Sequence, residues 1–496
     1  MRLFIFAIGG TGSRVLKSLA MLCAAGVKPI GPDGLEMRDF EIVPIIIDPH
    51  KANEDLKRTE RILNDYRMLR RTLYGEAVNA TGFFAAKISS LAEIVSDKDL
   101  TLTNSFTLNM AAVEQQKFRD YIGLATMNEA NQALTSLLFA PYQLDNKMNI
   151  GFVGSPNIGS VALNQIKDSD EFRAFANVFQ EGDRIFFVSS IFGGTGAAGF
   201  PILTKNIRQA ENLDVSNKDL LRRAPIGALT VLPYFNLRHN DDGRIDKADF
   251  VVKTQSALHY YNQTITHSHA AVNSIYYLGD QVMSKPYPYD PGEHGQMNRA
   301  HLIEFVGAMA PLHFAASRVT EGAPTVAYEY GLERDTAVVD FLAFGSATRR
   351  LIYRPLVKMH LLLMFVRTGL ESTIGKGFTE DKPKIRKEFL NTEFFRTFNQ
   401  QFLTAYSDWL AEMSDNNRSV QIFNGDNKQM GSVIHGVGTR KGLLGHKSIG
   451  NDSFVAAMNK LSRTANTFGD NEQELKFFSL FNQAAEKLID EKYEKI

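Results

Sequence analysis

The sequence carries one cysteine and one tryptophan in 496 residues, and its formal net charge is zero. A lone thiol, Cys23, cannot close an internal disulfide or build a cysteine zinc site, and it fits a reducing compartment, so a cytoplasmic location is expected. The 55 basic and 55 acidic side chains cancel, leaving no net field to favour nucleic acid or an anionic membrane. Long hydrophobic runs are missing too. The most apolar later stretch, residues 351–370, is cut by Arg354, Lys358, His360 and Arg367, which predicts a buried or amphipathic helix there and no membrane span. The first apolar run ends at Gly9 without a basic flank and reads as a first strand, not a signal peptide. No G-x-S-x-G elbow occurs, which argues against an α/β-hydrolase. The nearest approach to a Walker A motif, residues 369–376, has the wrong spacing and Gly377 where a serine or threonine must hold magnesium. His267 and His269 lack nearby carboxylates or cysteines at metal-ligand spacing.

What the sequence does have is glycine in two telling places. Residues 185–203 read IFFVSSIFGGTGAAGFPIL, an apolar run followed by Gly193, Gly194, Thr195, Gly196 and Gly199, with Pro201 at the predicted opening of a helix. A strand, a glycine loop and a helix start form an anion cradle: glycine lets backbone N–H groups approach closely, and the helix N-terminus adds a favourable dipole. Proline suits a first helical turn, where its missing donor would be unpaired anyway. The same order opens the chain, with an apolar run over residues 3–8, then Gly9, Gly10, Thr11 and Gly12, then helical spacing of Val15, Leu16, Leu19, Leu22 and Cys23. Two cradles nearly two hundred residues apart predict one nucleotide held by several loops of one parallel sheet.

The apolar share of 44% and charged share of 22% describe a folded globular chain with room for two or three domains. Strand and helix signals alternate through the first half, which predicts an α/β fold with a parallel sheet. Further strands are expected at residues 40–47 (ending at Asp48), 149–153, 226–232 and 273–278, the last of the series. A long helix is expected from Asn298 to about Ser317, with Leu302, Phe305, Val306, Met309 and Leu312 at helical spacing. It divides the chain into a nucleotide-binding domain (1–296), a central helix (297–318) and a mixed, then mainly helical, C-terminal domain (319–496). The glycine-rich segment 425–450, with Arg440, Lys441 and Lys447, reads as a surface loop. The first loop with Asp48 meets part of a dinucleotide fingerprint, although Ala7 stands where its first glycine should be. An NAD-dependent oxidoreductase is therefore one reading, and it leaves the second loop unexplained.

The order of GGTG loop, strand ending in Asp48, Gly154-Ser155-Pro156-Asn157-Ile158-Gly159, FGGTGAAGFP and Leu229-Thr230-Val231-Leu232-Pro233-Tyr234-Phe235 resembles the tubulin and FtsZ superfamily of GTPases over roughly the first 320 residues. It is closest to the divergent bacterial tubulin-like proteins, with Phe192 where the superfamily's signature has a first glycine. The resemblance implies a GTP or GDP ligand with Mg2+, phosphoryl transfer to water, and self-association into oligomers or filaments. It implies that Gly9, Gly10, Thr11 and Gly12 line the α- and β-phosphates. Asp48 and Asn53 would approach the phosphate or magnesium side, Asn157 and Gly159 would close over the γ-phosphate, and Gly193, Gly194, Thr195 and Gly196 would cradle the β- and γ-phosphates. Asn298 would contact guanine. In polymerising members a carboxylate loop after the central helix completes the neighbouring subunit's site. Residues 319–340 lack the usual asparagine-aspartate pattern, and Asp335 and Asp340 are the candidates to orient water. A non-hydrolysing, nucleotide-stabilised adaptor that docks protein partners through its C-terminal helices is the other reading.

Overall fold

A computed structural model describes residues 1–95, 102, 104–110, 113, 116–152, 154–234, 236–237, 247–267, 271–280, 286–287, 298–332, 336–425, 429–442, 445–464 and 468–496. Its centre is a seven-stranded, all-parallel sheet formed by β1 (Arg2–Ile8), β2 (Glu41–Ile47), β3 (Lys87–Ile88), β4 (Arg184–Ser190), β5 (Ile226–Val231), β6 (Ser274–Leu278) and β7 (Val326–Tyr330). The spatial order is β3-β2-β1-β4-β5-β6-β7. β1, β2 and β4 are buried at every position after the first. That is why they read as continuous apolar runs and not as alternating strands: both sheet faces are covered. Register aligns Ile8 with Ile47, Ala7 with Val188 and Ser190 with Val231, so the carboxyl ends of the central strands share one edge.

Four expectations are corrected. β6 is not the last strand, because β7 pairs with it through Ser274–Val326 to Leu278–Tyr330. Residues 148–150 form a short 3-10 turn where a strand was expected, and the chain leaves it through Gly151 at φ +81°. The helix after the second glycine loop already begins at Gly194, so Pro201 lies inside it. The central helix starts at Leu302, is capped by His301, and runs as two segments, Leu302–Gly307 and Met309–Ala316; Asn298 precedes it and does not open it.

The first helix, α1 (Gly9–Ala24), has 15 of its 16 residues buried. It is covered by the sheet, by α2 (Glu54–Tyr74), by Leu302–Gly307 and by the C-terminal helix Ser346–Thr368. Trp409, from the helix Leu403–Ser414, donates to Ser18 Oγ at 3.1 Å and packs on Phe305. Phe84 meets Phe402 and Phe478 at ring separations of 5.0 and 6.2 Å. The C-terminal helices are thus part of the same core as the sheet. The segment 351–370 behaves as expected, a helix with Leu356, Leu361, Leu362 and Phe365 buried. Among the described residues no helix is long and apolar enough to cross a membrane.

Burial pushes the Cys23 thiol up to about 12 and holds two imidazoles neutral: His301 is lowered to about 4, and His360, stacked on Phe423 at 4.0 Å, to about 3. An unfolded histidine takes a proton near pH 6.5. Folded and unfolded states bind protons equally above that pH, and below it the unfolded chain binds more, so stability falls as pH drops from 6.5 toward 4. The loss at pH 5 is predicted at roughly 2 kcal/mol for each imidazole. Urea unfolding at pH 7 and pH 5 measures it. His313 is lowered by burial too, so His360→Phe, which keeps the stacking, is expected to remove only its own share, roughly 2 kcal/mol; a variant with the full wild-type slope refutes the assignment.

Candidate functional site

Chain order runs outward from β1 to β3 on one side of the sheet and from β4 to β7 on the other. Loops leaving β1 and β4 at their carboxyl ends therefore part, and such a switch point is where open α/β sheets take ligands. Both glycine loops lie there. Gly9 takes φ +69°, a conformation that glycine adopts without cost. A Cβ on Gly9 would stand 3.5 Å from Thr195 Cβ and 3.8 Å from the Gly196 nitrogen, so the two loops touch. The third expected segment joins them: a Cβ on Gly194 would stand 3.1 Å from the nitrogens of Gly154 and Ser155.

The glycines divide into two kinds. Gly12, Gly159 and Gly196 let elements dock. Added Cβ atoms there would stand 2.5 Å from the Ala7 carbonyl carbon, 2.8 Å from Gly194 O and 2.8 Å from Ser190 O. Gly10 is open, its nearest neighbour being Asn53 Nδ2 at 3.5 Å, and Gly193 sits against Ser190 Oγ. Thr11 is buried in the first turn of α1.

Three helix N-termini meet at this crevice, and at one of them Asn157 Oδ1 accepts from the Ile158 N–H at 3.0 Å. α1, α3 (Pro156–Leu163) and α4 (Gly194–Arg208) each lack a bond from the N-cap side chain and have no acidic residue in the first turn. α2 is the contrast: Asn53 Oδ1 accepts from the Asp55 N–H at 2.9 Å, and Glu54 and Asp55 occupy its first turn. N–H groups at three positive dipole ends, brought together by close glycine contacts, are an arrangement suited to an anion. Lys253 adds a cation, its Nζ donating to Gly154 O at 3.2 Å. Beside the crevice, a cavity of about 390 Å³ is lined by Pro156, Phe192, Ala197, Pro201, Lys253 and Tyr260. A second cavity, of about 380 Å³, is lined by Tyr276, Met309, Tyr328 and Leu351 and includes none of the glycine-loop residues.

The other candidate residues are placed as follows. Asp48 is buried at the end of β2 and accepts from the His50 N–H at 3.0 Å. Asn53 turns its amide nitrogen toward Gly10. Asn157 is exposed on the first turn of α3, 3.5 Å from Gln143 Nε2. Asp340 caps the 3-10 turn Phe341–Ala343, accepting from Leu342 and Ala343 N–H groups at 2.8 and 3.0 Å, and its Oδ2 lies 3.5 Å from His435. Asp335 lies outside the described residues, as does His269.

One feature was not anticipated from the sequence. Arg14, one turn beyond Gly10 on α1, is buried and donates to Glu304 at 2.6 Å, Tyr234 Oη at 2.7 Å and Asp55 at 3.4 Å. Burial works to lower its pKa, but Tyr234, Glu304 and Asp55 together hold it raised. Burial raises the Glu304 carboxyl against the pull of Arg14 and Lys17. Lys17, 1% exposed and lowered by burial, lies 3.7 Å from Glu412. Asp55 also receives the Asn298 N–H at 3.1 Å and its Nδ2 at 2.9 Å. The network therefore ties the helices that carry the cradle to the central helix and to Leu403–Ser414. The signal was present as Arg14 and Lys17 breaking an apolar helix pattern, but only the tertiary cover of α1 turns those positions inward.

No family model matches the chain, and no curated protein matches it. Among solved structures it is similar to CetZ2 from Haloferax volcanii in a GTPgS-bound protofilament, with 14% identity over 64% of this chain and 59% of that chain and a TM-score of 0.28. It is also similar to the helical model of the TubZ-Bt two-stranded filament, with 11% identity over 56% of this chain and 46% of that one and a TM-score of 0.20. The chain thus spans less than two thirds of the length of either.

Proposed function

We propose that this protein binds a guanine nucleotide in the crevice between β1 and β4, and that it is a tubulin-like GTPase that self-associates. The observation that carries the proposal is the convergence of three helix N-termini and two GGTG loops on one crevice, since a polyphosphate supplies acceptors to N–H groups that, in α1 and α4, no side chain caps. The motif order of the sequence supports the choice of GTP or GDP. In this reading residues 1–296 are the nucleotide domain, α1 and α4 hold the α-, β- and γ-phosphates, Asn157 closes over the γ-phosphate, and Asn298 meets the purine. Among the described residues no cluster of three or more His, Cys, Asp or Glu side chains forms a cage. Mg2+ would accordingly be held chiefly by phosphate oxygens and water, with Asp48 at the end of β2 as a carboxylate on this side. Hydrolysis would rest on positioning of water by Asp335 or Asp340 of a neighbouring copy.

The capping bonds of Asp340 favour a second reading, a nucleotide-stabilised adaptor without turnover. Phosphate release measured against protein concentration separates the two: a polymerising GTPase shows a critical concentration, and an adaptor stays flat. Binding itself is tested by calorimetry with GTP and NAD. Gly10→Ala places a methyl in the open cradle with only Asn53 Nδ2 nearby, so GTP affinity is predicted to fall at least about tenfold, the worth of one charge-assisted hydrogen bond. The melting temperature should hardly move. Tight NAD binding without guanine preference, or undiminished GTP binding by the variant, would refute the reading.

A further inference from the structure

We infer that Asp55, held by Arg14, is a positioning residue that sets purine preference by fixing which end of the Asn298 amide faces the ligand. The inference rests on the proposed nucleotide site and deepens it. Asp55 stands in the first turn of α2, two residues after Asn53, whose amide abuts Gly10, so it lies directly beside the cradle. Three donors converge on its carboxylate: the Asn298 backbone N–H at 3.1 and 3.2 Å, Asn298 Nδ2 at 2.9 Å and Arg14 at 3.4 Å. A carboxylate facing a guanidinium has only acceptor oxygens. The two ends of an asparagine amide are otherwise interchangeable in shape, and here Asp55 decides between them, because only the NH2 end can face it. Oδ1 is the end turned from Asp55, and we take it as the acceptor offered to the base.

The consequence concerns hydrogen-bond polarity. Guanine presents donors, N1–H and the 2-amino group, along the edge where adenine has a bare N1 acceptor. A fixed Oδ1 acceptor pairs with the first and opposes the second. A freely turning amide would serve both purines, since it could offer either end. Arg14 cannot take the role over, because a guanidinium carries donors only and has no acceptor to offer a base, while its Nε and Nη2 are turned to Glu304 and Tyr234. The buried charge network beneath the cradle thus acts on the ligand through one amide.

The test measures GTP and ATP dissociation constants for the full-length protein and three variants. Asp55→Asn can donate as well as accept, so it releases the amide. The GTP-over-ATP ratio is expected to drop at least about tenfold while ATP affinity holds or rises, since a polar site discriminates through the group it leaves unpaired. Asn298→Ala leaves the Arg14–Asp55 pair intact and is expected to lose the same preference. The exchange D55N/N298D restores it, because the amide placed on α2 then donates to one oxygen of the carboxylate placed before the central helix and leaves the other oxygen as the acceptor. A merely structural role for Asp55 would lower both affinities together and leave the ratio alone, and that result overturns the inference. Should Asp55→Asn fail to fold, the exchange decides: equal binding of both purines overturns the inference, and recovered preference supports it. If the wild-type protein itself shows no guanine preference, the nucleotide proposal fails before the variants are compared. If Asn298→Ala loses the preference and Asp55→Asn keeps it, only the role of Asp55 falls.

Discussion

Gly12→Ala is expected to leave little folded protein, although it adds a single methyl group two residues away from Gly10→Ala, which should leave the fold intact. The new Cβ would stand 2.5 Å from the Ala7 carbonyl carbon, 2.9 Å from its Cα and 3.1 Å from Val188 O. All three are backbone atoms of the two central strands, paired to each other in register. No rotamer change can relieve such a clash, so α1 must lift from the sheet. Overpacking that side chains can absorb costs about 1–3 kcal/mol, and a clash against paired backbone should exceed that range. Natural domains have only about 5–15 kcal/mol to lose. Because α1 is also covered by the central and C-terminal helices, the lift would disturb that packing as well. Circular dichroism and urea unfolding of both variants provide the check. Gly10→Ala should unfold with the wild type while Gly12→Ala unfolds at far lower urea or expresses insoluble. Equal midpoints would show that α1 does not sit as described.

That contrast marks what was legible in the sequence. Both GGTG loops were readable because an anion cradle is local: a few consecutive glycines after an apolar run suffice. Their division into docking and open positions was not, since it depends on which backbone passes underneath. The parallel sheet followed from the continuous apolar runs of β1, β2 and β4, but the membership of β7 depended on a pairing with β6 across about fifty residues. Pro201 misled because a proline marks a helix start only on average; here the chain enters the helix at once through Gly194. Asn298 draws attention in the sequence through its place before a run of helical spacing. The structure instead gives it a tether to Asp55, which a single sequence could not display. Arg14 and Lys17 do not stand out in the sequence, because charges in an amphipathic pattern are ordinarily solvated, and the burial of α1 on all sides is a tertiary fact.

Arg14→Met carries the other large expected effect. The substitution keeps most of the side chain's length and removes its charge, leaving Glu304 and Asp55, each with a side chain only 1% exposed, without the guanidinium that both face. Removing one partner of a buried ion pair typically costs about 3–5 kcal/mol, because the remaining charge stays desolvated. The pH dependence carries the diagnostic sign. Burial already raises the Glu304 carboxyl above 4.5, with Arg14 opposing that rise. Without Arg14 the folded carboxyl is raised further, so the folded variant holds a proton that the unfolded chain releases. A group of raised pKa contributes stability at low pH and loses it as pH climbs from the unfolded value through the folded one. The deficit of Arg14→Met relative to wild type should therefore be smaller at pH 5 than at pH 8. This trend runs opposite to the histidine-driven loss; because Arg14 also helps to hold His301 down, the same comparison made in a Glu304→Gln background separates the acid's part from the imidazole's. Urea midpoints of the two proteins at both pH values measure it, and R14M/E304L should recover much of the loss by removing the orphaned acid. A deficit that does not change with pH would mean that Glu304 is solvated in the variant, and that this network is not the sealed link between cradle and C-terminal helices that its burial describes.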